Sequence, residues 1–437
     1  MKSMTPLVIM VCALAGMPPA GAQEGKPRPL MRDFMGINGH TVQFRPELYR
    51  PVASKVRDYH PLDWDIGEQT DFKPDYPWAR NRVNWEKVYG PWVENGYEID
   101  ACLMIQRIDP DGWKDVAADA FRIGEAFASF FGPSGERKLV SSLEIGNEPG
   151  MYPDARYREV FQAMAKGARA GDPKMKVVTC AAVAGESHDY AKNLALLDGL
   201  EDLYDVISVH TYAQLEGWPT WRRSFPEDPR LEYLKDVERA IAWRNKNAPG
   251  KELWITEFGW DSTTKENATS GTFKDWVGNT DEEQAVYIVR SFLVFASMDV
   301  DRAYLYFFND KDEAKLHAAS GLTRNFKKKP SFHAVQWLRD RLGDYRFVRS
   351  VSKGEDEPWR MLFAHGSDPR KQVVAIWDPV KVGEGSRRPV PVGVEGKVLR
   401  AERLSLVEGK SPGLEVSGGK VELGARGYPV LVWIASE

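Results

Sequence analysis

Two glutamates stand where side chains can do acid–base and nucleophilic work. Leu143-Glu144-Ile145-Gly146-Asn147-Glu148-Pro149-Gly150 is an apolar run that ends in a carboxylate beside an amide and is closed by Pro-Gly. Leu253-Trp254-Ile255-Thr256-Glu257-Phe258-Gly259-Trp260 is a second apolar run, with a carboxylate near its end and aromatics after it. A lone glutamate in such a place is ordinarily a salt-bridge partner. Two that meet across one cavity can divide labour. One stays protonated to donate to a leaving oxygen, and the other stays ionised to attack carbon. Glycoside hydrolysis requires that division. The separation sets the outcome, about 5 to 5.5 Å for retention and about 6.5 to 9.5 Å for inversion.

The elements that must position this pair are legible as an alternation from about residue 33 to 343. Eight short β-branched runs read as strands: Phe34–Asn38, Val56–Tyr59, Ile99–Gln106, Leu139–Asn147, Met175–Val183, Val206–His210, Leu253–Phe258 and Ala303–Phe308. The segments between them read as helices. The clearest spans Asp281 to Ala296, where Ala285, Ile288, Val289, Phe292, Phe295 and Ala296 recur at helical spacing. Thr280 and Glu283 form a capping box at its start. Pro229–Asn247 and Ala155–Ala170 have the same character. Alternating strand and helix predicts a parallel sheet with right-handed crossovers, and eight units predict a (β/α)₈ barrel. A doubly wound open sheet is the competing architecture, but no Gly-rich phosphate loop follows the first strand. In a barrel, chemistry sits at the carboxyl ends of the strands. That places Glu148 at the end of the fourth strand and Glu257 on the seventh, facing each other across the mouth.

With those positions, Asn147-Glu148-Pro149 and Thr256-Glu257 resemble the strand-4 and strand-7 motifs of the clan A glycoside hydrolases, retaining (β/α)₈-barrel enzymes. The resemblance implies that Glu148 is the acid/base, that Glu257 is the nucleophile and that Asn147 binds the sugar 2-hydroxyl. Asp205-Val206-Ile207-Ser208-Val209-His210-Thr211-Tyr212 is similar to a family 39 pattern of that clan, which implies that His210 and Tyr212 line the site. Arg57 matches the clan's arginine that supports the nucleophile carboxylate. Three positions depart from family 39. His60 follows Arg57 with one residue too many between them, Gly146 stands where a Trp is usual, and strand 8 offers Phe307 or Phe308 where many clan members carry a Trp platform.

Fifteen Trp, sixteen Tyr and nineteen Phe suit both core packing and stacking on flat ligand faces. Trp64, Trp78, Trp218, Trp221 and Trp260 fall on or near the loops at the barrel mouth, with Trp260 the best placed to stack on a sugar. Arg222, Arg223 and Arg230 read as a solvated basic face, with sulfate or uronate binding as the functional alternative. Asp63, Asp65, Glu68 and Asp71 crowd one loop without EF-hand spacing, so no metal is expected. Cys102 and Cys180 lie in strand-like runs and read as small buried hydrophobes. His-Glu-x-x-His, Cys-x-x-Cys, Gly-x-Ser-x-Gly and the phosphate loop are all missing, and no cofactor is expected.

The chain has 437 residues, 43% hydrophobic and 28% charged, with net charge −4. That composition supports a large core and argues against a nucleic-acid partner. Residues 1–22 read as a signal peptide: Lys2, an apolar stretch from Leu7 to Met17, then Ala20-Gly21-Ala22 at the cleavage position. The mature chain is then expected to begin near Gln23, in the periplasm or outside the cell, without a membrane anchor. Residues 344–437 lose helical periodicity and read as a small antiparallel β-sandwich, expected to brace the barrel over residues 23–343. The expected activity is retaining hydrolysis of a β-linked oligo- or polysaccharide by a monomer. A glycan-binding barrel without turnover and a transglycosylase using the same carboxylates are the alternatives.

Overall fold

A computed structural model describes residues 27–185, 190–354, 357–384, 390–393, 397–409, 411–414, 416–417, 420–423 and 427–435. The expected signal peptide lies outside these residues. Eight parallel strands close into a barrel: β1 (Met35–Asn38), β2 (Lys55–Pro61), β3 (Glu98–Met104), β4 (Ser142–Ile145), β5 (Lys176–Val183), β6 (Val206–His210), β7 (Glu252–Phe258) and β8 (Arg302–Leu305). Each pairs in parallel with the next, and β8 pairs back onto β1 through Gly36 and Tyr304. Helices on the outside and polar side chains on the inside bury the strands on both faces, as a closed parallel sheet requires.

Six long helices flank it: α1 (Trp85–Glu94), α2 (Val116–Phe131), α3 (Asp154–Gly171), α4 (Tyr233–Asn247), α5 (Asp281–Ser297) and α6 (Pro330–Leu342). The start of α5 carries the expected capping box. The Glu283 amide donates to Thr280 Oγ1 at 3.1 Å, and the Thr280 amide donates to Glu283 Oε2 at 2.9 Å. The strict alternation breaks in two places. The first crossover has a 3₁₀ turn, Thr41–Gln43, and the four-residue helix Pro46–Tyr49. The fifth has two 3₁₀ turns, Leu194–Leu197 and Glu201–Leu203, where a helix was expected. Gly199, at φ 78°, separates those turns, a conformation that stops a helix and suits glycine.

The floor of the barrel is apolar, built from Val178, Val206, Trp254 and Tyr304. The middle is polar. Asn38, Arg57, Cys102 and Glu144 sit there fully buried, just beneath the mouth. Cys102 and Cys180 are both buried free thiols.

Beyond α6 the chain forms an antiparallel sheet of β9 (Tyr345–Ser352), β10 (Trp359–His365), β11 (Lys371–Trp377), β12 (Lys397–Arg403) and β13 (Val430–Ala435), ordered β9-β10-β11-β13-β12. Its side chains alternate. Met361, Phe363, Val373, Trp377 and Leu431 join the core of the barrel domain. Leu362, Val374, Ile376, Val432 and Ile434 face the other way and form a second apolar layer. Val390–Gly393, Val416–Ser417 and Lys420–Leu423 make a further small sheet. At the junction with the barrel, the Trp377 indole donates to Glu227 Oε1 at 2.7 Å. Arg290 of α5 donates to both oxygens of that carboxylate.

Candidate active site

Glu148 is placed by a turn. β4 ends at Ile145, and Gly146 at φ 81° swings the chain outward, where a side chain would be strained and would press on the Tyr157 ring. Asn147 then faces inward, its Oδ1 accepting from Arg57 Nη2 at 2.7 Å. Glu148 opens into the mouth with its side chain 32% exposed.

Glu257 lies deeper, its side chain only 6% exposed, with three hydrogen-bond donors and the His210 ring around it. Oε1 accepts from Tyr59 OH at 2.6 Å and from Arg57 Nη1 at 3.1 Å. Oε2 accepts from Tyr212 OH at 2.7 Å, with His210 Nδ1 at 3.7 Å. Burial alone would raise the Glu257 pKa. The positive charges of His210 and Arg57 and the hydroxyls of Tyr59 and Tyr212 outweigh it and hold the carboxyl below its usual 4.5. It is an ionised group aimed at the cavity. Burial, with the Glu257 charge next, pushes both tyrosines far up, so they stay phenolic donors.

Arg57 cannot drift away, because a second carboxylate grips it. Its Nε and Nη2 make a bidentate pair with Glu144 Oε2 and Oε1 at 2.8 and 2.6 Å, and Nη1 also reaches Asn38 Oδ1 at 2.9 Å. Asn38 is tied in turn to the backbone carbonyls of Thr256 and Tyr304. The cation therefore belongs to a rigid lattice and lends Glu257 only one of its edges.

His210 joins the two glutamates. Its Nδ1 donates to Glu148 Oε1 at 2.9 Å. Burial lowers its pKa, but Glu257 and Glu148 together raise it above 6.5. One oxygen of Glu148, one of Glu257 and a ring nitrogen of His210 lie within 4.8 Å of one another. Among the described residues this is the one group with the types and spacing to hold a metal ion.

A second network walls the site. Arg223 donates to Asp261 Oδ2 at 3.0 Å and to the Gly259 carbonyl at 2.9 Å, and its guanidinium lies 4.3 Å above the Tyr212 ring. Asp261 also accepts from Ser320 Oγ at 2.6 Å. His317 packs edge-on to Tyr212 at 4.8 Å, and burial followed by the Arg223 charge lowers its pKa. At the end of β8, Tyr306 sets its ring against Tyr59 and His317. Gly259 permits this approach, since a Cβ there would lie 2.3 Å from the Tyr306 carbonyl oxygen.

The structure thus brings Glu148, Glu257, Asn147, His210, Tyr212 and Arg57 together. It removes Trp260 from the mouth. That indole is 0% exposed, donates to the Ser224 carbonyl at 2.8 Å and packs against Tyr233 and Tyr287, so it has no face for a sugar. Phe307 stacks on Tyr306 at 4.5 Å, and Tyr306 is the ring beside the carboxylates. His60 points away, bonded to Tyr89 and Asp65 and stacked on Trp85. The arginine trio is not one solvated face: Arg223 is buried at the site, while Arg222 pairs with Glu216 and Arg230 with Asp228. The acidic loop is dispersed too, with Asp65 bonded to His60, Tyr76 and Trp85 and Asp71 to Lys114. Sequence reasoning missed Tyr59, Tyr306, His317 and Asp261. Tyr59 had a readable signal, because strand residues two apart share a face and Arg57 already marked the inner one.

The fold and the paired carboxylates define a (β/α)₈ barrel with an appended β-sandwich, the architecture of solved clan A glycoside hydrolases. Among similar structures is a family 39 glycoside hydrolase from the gut symbiont Bacteroides cellulosilyticus, at TM-score 0.66 and 18% identity over 93% of this chain and 82% of that one. CelM2, a bifunctional glucanase-xylanase from a metagenome library, matches at TM-score 0.63 and 14% identity, over 94% and 97% of the two chains. The catalytic domain of GH30 xylanase C from Talaromyces cellulolyticus matches at 0.58 and 11%, over 94% and 98%. The sequence matches no protein-family model and no curated protein.

Proposed function

We propose that this protein is an exported, retaining glycosidase that cleaves a β-linked glycan by double displacement. The observation that carries the reading is the pairing of Glu148 and Glu257, with carboxylate oxygens within 4.8 Å and opposite surroundings. One oxygen of each carboxylate lies within 4.8 Å of the other, which supports the retaining reading, since an inverting pair leaves room for a water between its carboxyl groups. Glu257, buried and held ionised, attacks the anomeric carbon. The glycosidic C–O bond breaks as Glu148 gives its proton to the leaving oxygen. Glu148, now a carboxylate, takes a proton from water. The resulting attack releases the sugar with its configuration kept and frees Glu257. Tyr59, Tyr212 and Arg57 orient the nucleophile, and Asn147 is the residue for the sugar 2-hydroxyl. The similar solved structures and the clan motifs support the substrate class, and the β-linkage rests on the motifs.

The test is reducing-sugar release by the chain from Gln23 on neutral and acidic β-glycans, with Glu257→Ala in parallel and proton NMR of the first product. Release that the variant loses, with retained configuration, is the expected result. An inverted first product would overturn the mechanism. Equal release by both proteins would overturn the nucleophile assignment, and binding without release would favour a glycan-binding barrel.

A further inference from the structure

The barrel's exposed apolar side chains are distributed unevenly. Among the described residues, Val42, Trp78, Met151, Trp218 and Val277 are the large exposed hydrophobics on loops after strands β1, β2, β4, β6 and β7, all on the face that holds the carboxylates. Val93, in the last turn of α1, is the exception. Trp78 is 54% exposed and Trp218 is 72% exposed. An exposed Trp on one face of a molecule that buries most of its aromatics marks a contact surface.

Trp218 is held out by a built support. It sits at the tip of a hairpin closed by the Gln214–Arg223 bridge, by Leu215 and Glu216 amides donating to the Arg222 carbonyl, and by the Trp221 amide on the Gly217 carbonyl at 2.8 Å. Thr220 Oγ1 and Arg222 both satisfy Glu216, so the tip carries little net charge. The Val277 amide, from the loop after β7, donates to the Thr220 carbonyl at 2.8 Å and ties the hairpin sideways. The base of the hairpin is the active-site wall itself, through Arg223 on Asp261 and Tyr212. Trp218 is six residues from Tyr212, which touches Glu257, so it stands at most about 20 Å along the chain from the site.

We propose that Trp218 is a sugar-stacking platform that holds the glycan outside the bond being cut, and that the natural substrate is a chain long enough to reach it. The inference rests on the glycosidase reading for its occupant. A flat, uncharged, exposed indole on a hairpin rooted in the wall beside the carboxylates suits the apolar face of a pyranose.

The experiment compares wild type, Trp218→Ala and Trp218→Phe on 4-nitrophenyl β-glucoside and β-xyloside and on cellohexaose and xylohexaose. The ratio of kcat/KM on the cleaved hexaose to that on the matching aryl glycoside is expected to fall about tenfold in Trp218→Ala, chiefly through KM, and to recover in Trp218→Phe. An unchanged ratio overturns the proposal, as does an equal fall on both substrates. If wild type cleaves none of these substrates, affinity gel electrophoresis in soluble xylan and β-glucan still decides the platform. Retardation lost in Trp218→Ala supports it, and no retardation in either polysaccharide overturns it. A dimer in wild type that Trp218→Ala dissolves would assign the surface to self-association and overturn the proposal.

Discussion

His210 Nδ1 lies 2.9 Å from Glu148 Oε1 and 3.7 Å from Glu257 Oε2, so one imidazole reads the charge of both carboxylates. Its pKa is raised above 6.5 by them, against the burial that lowers it. A raised cation contributes stability that is fully present below pH 6.5 and is lost as pH rises through its folded pKa. Glu257 works the other way. A depressed carboxyl contributes above its usual 4.5 and loses that contribution as pH falls through its lower folded value. The expected profile of kcat/KM has an acid limb below pH 4.5, where Glu257 would take up its proton. His210→Asn is expected to move the acid limb upward, which a pH–rate series on an aryl glycoside measures.

The two glutamates differ in how their loss should be rescued. Glu257→Ala is expected to lower kcat by about 10⁴-fold or more, because no group remains to form the intermediate. Glu148→Ala is expected to lose about 10²- to 10⁴-fold on a poor leaving group and much less on a dinitrophenyl glycoside, which needs no proton. Added azide should restore the second step in Glu148→Ala and yield a glycosyl azide of retained configuration.

Tyr59 and Tyr212 each give a hydrogen bond to ionised Glu257, one to each oxygen. Hydrogen bonds to charged groups are worth about 1.5 to 3 kcal/mol. Tyr59→Phe and Tyr212→Phe are each expected to cost about 10- to 100-fold in kcat/KM. Both should shift the acid limb upward, because the carboxylate loses a donor.

Asp100 sits beneath the site with its Oδ1 on Ser142 Oγ at 2.7 Å. Burial, followed by the Glu144 charge, pushes its pKa up to about 7. A carboxyl raised this way holds its proton in the folded state after the unfolded chain has lost it, so stability falls as pH rises from about 4 to about 7. Asp100→Asn is expected to flatten that decline, at about 1.4 kcal/mol per pKa unit removed. Urea melts at pH 5 and pH 8 give the slope directly.

Glu227 joins the two parts of the chain through Arg290 and Trp377. Glu227→Ala leaves a buried guanidinium without its carboxylate, for which the expected cost is about 3 to 5 kcal/mol. Because Glu227 follows Arg223 and Ser224 on the loop that walls the site, loss of activity should accompany the loss of stability. A denaturation midpoint and kcat/KM measured on the same preparation check both.

Much of this architecture was legible because parallel barrel strands are buried on both faces and read as compact apolar runs. Val206–His210 is a strand with the predicted bounds, and the carboxylates of Glu148 and Glu257 meet at the mouth as strand order required. The errors share a cause in tertiary packing. Trp260 follows the seventh strand as a platform would, but the chain turns its indole inward to a carbonyl 36 residues earlier. Arg223 reads as one of three solvated charges until Asp261, distant in sequence, claims it. The missing fifth helix reflects local chemistry, since a run such as Leu194–Leu197 carries apolar spacing too short to distinguish 3₁₀ turns from a helix.

The grip of Glu144 on Arg57 has a consequence for charge conservation through the reaction cycle. When Glu257 becomes an ester its negative charge disappears, and a cation that depended on it alone would be stranded in a dry interior. Arg57 is not stranded, because its neutralising partner is one that never reacts. On the proposed pathway the freed imbalance falls on His210 instead. Its remaining carboxylate neighbour is Glu148. The charge of Arg57 thus stays matched through the cycle by a carboxylate outside the reaction.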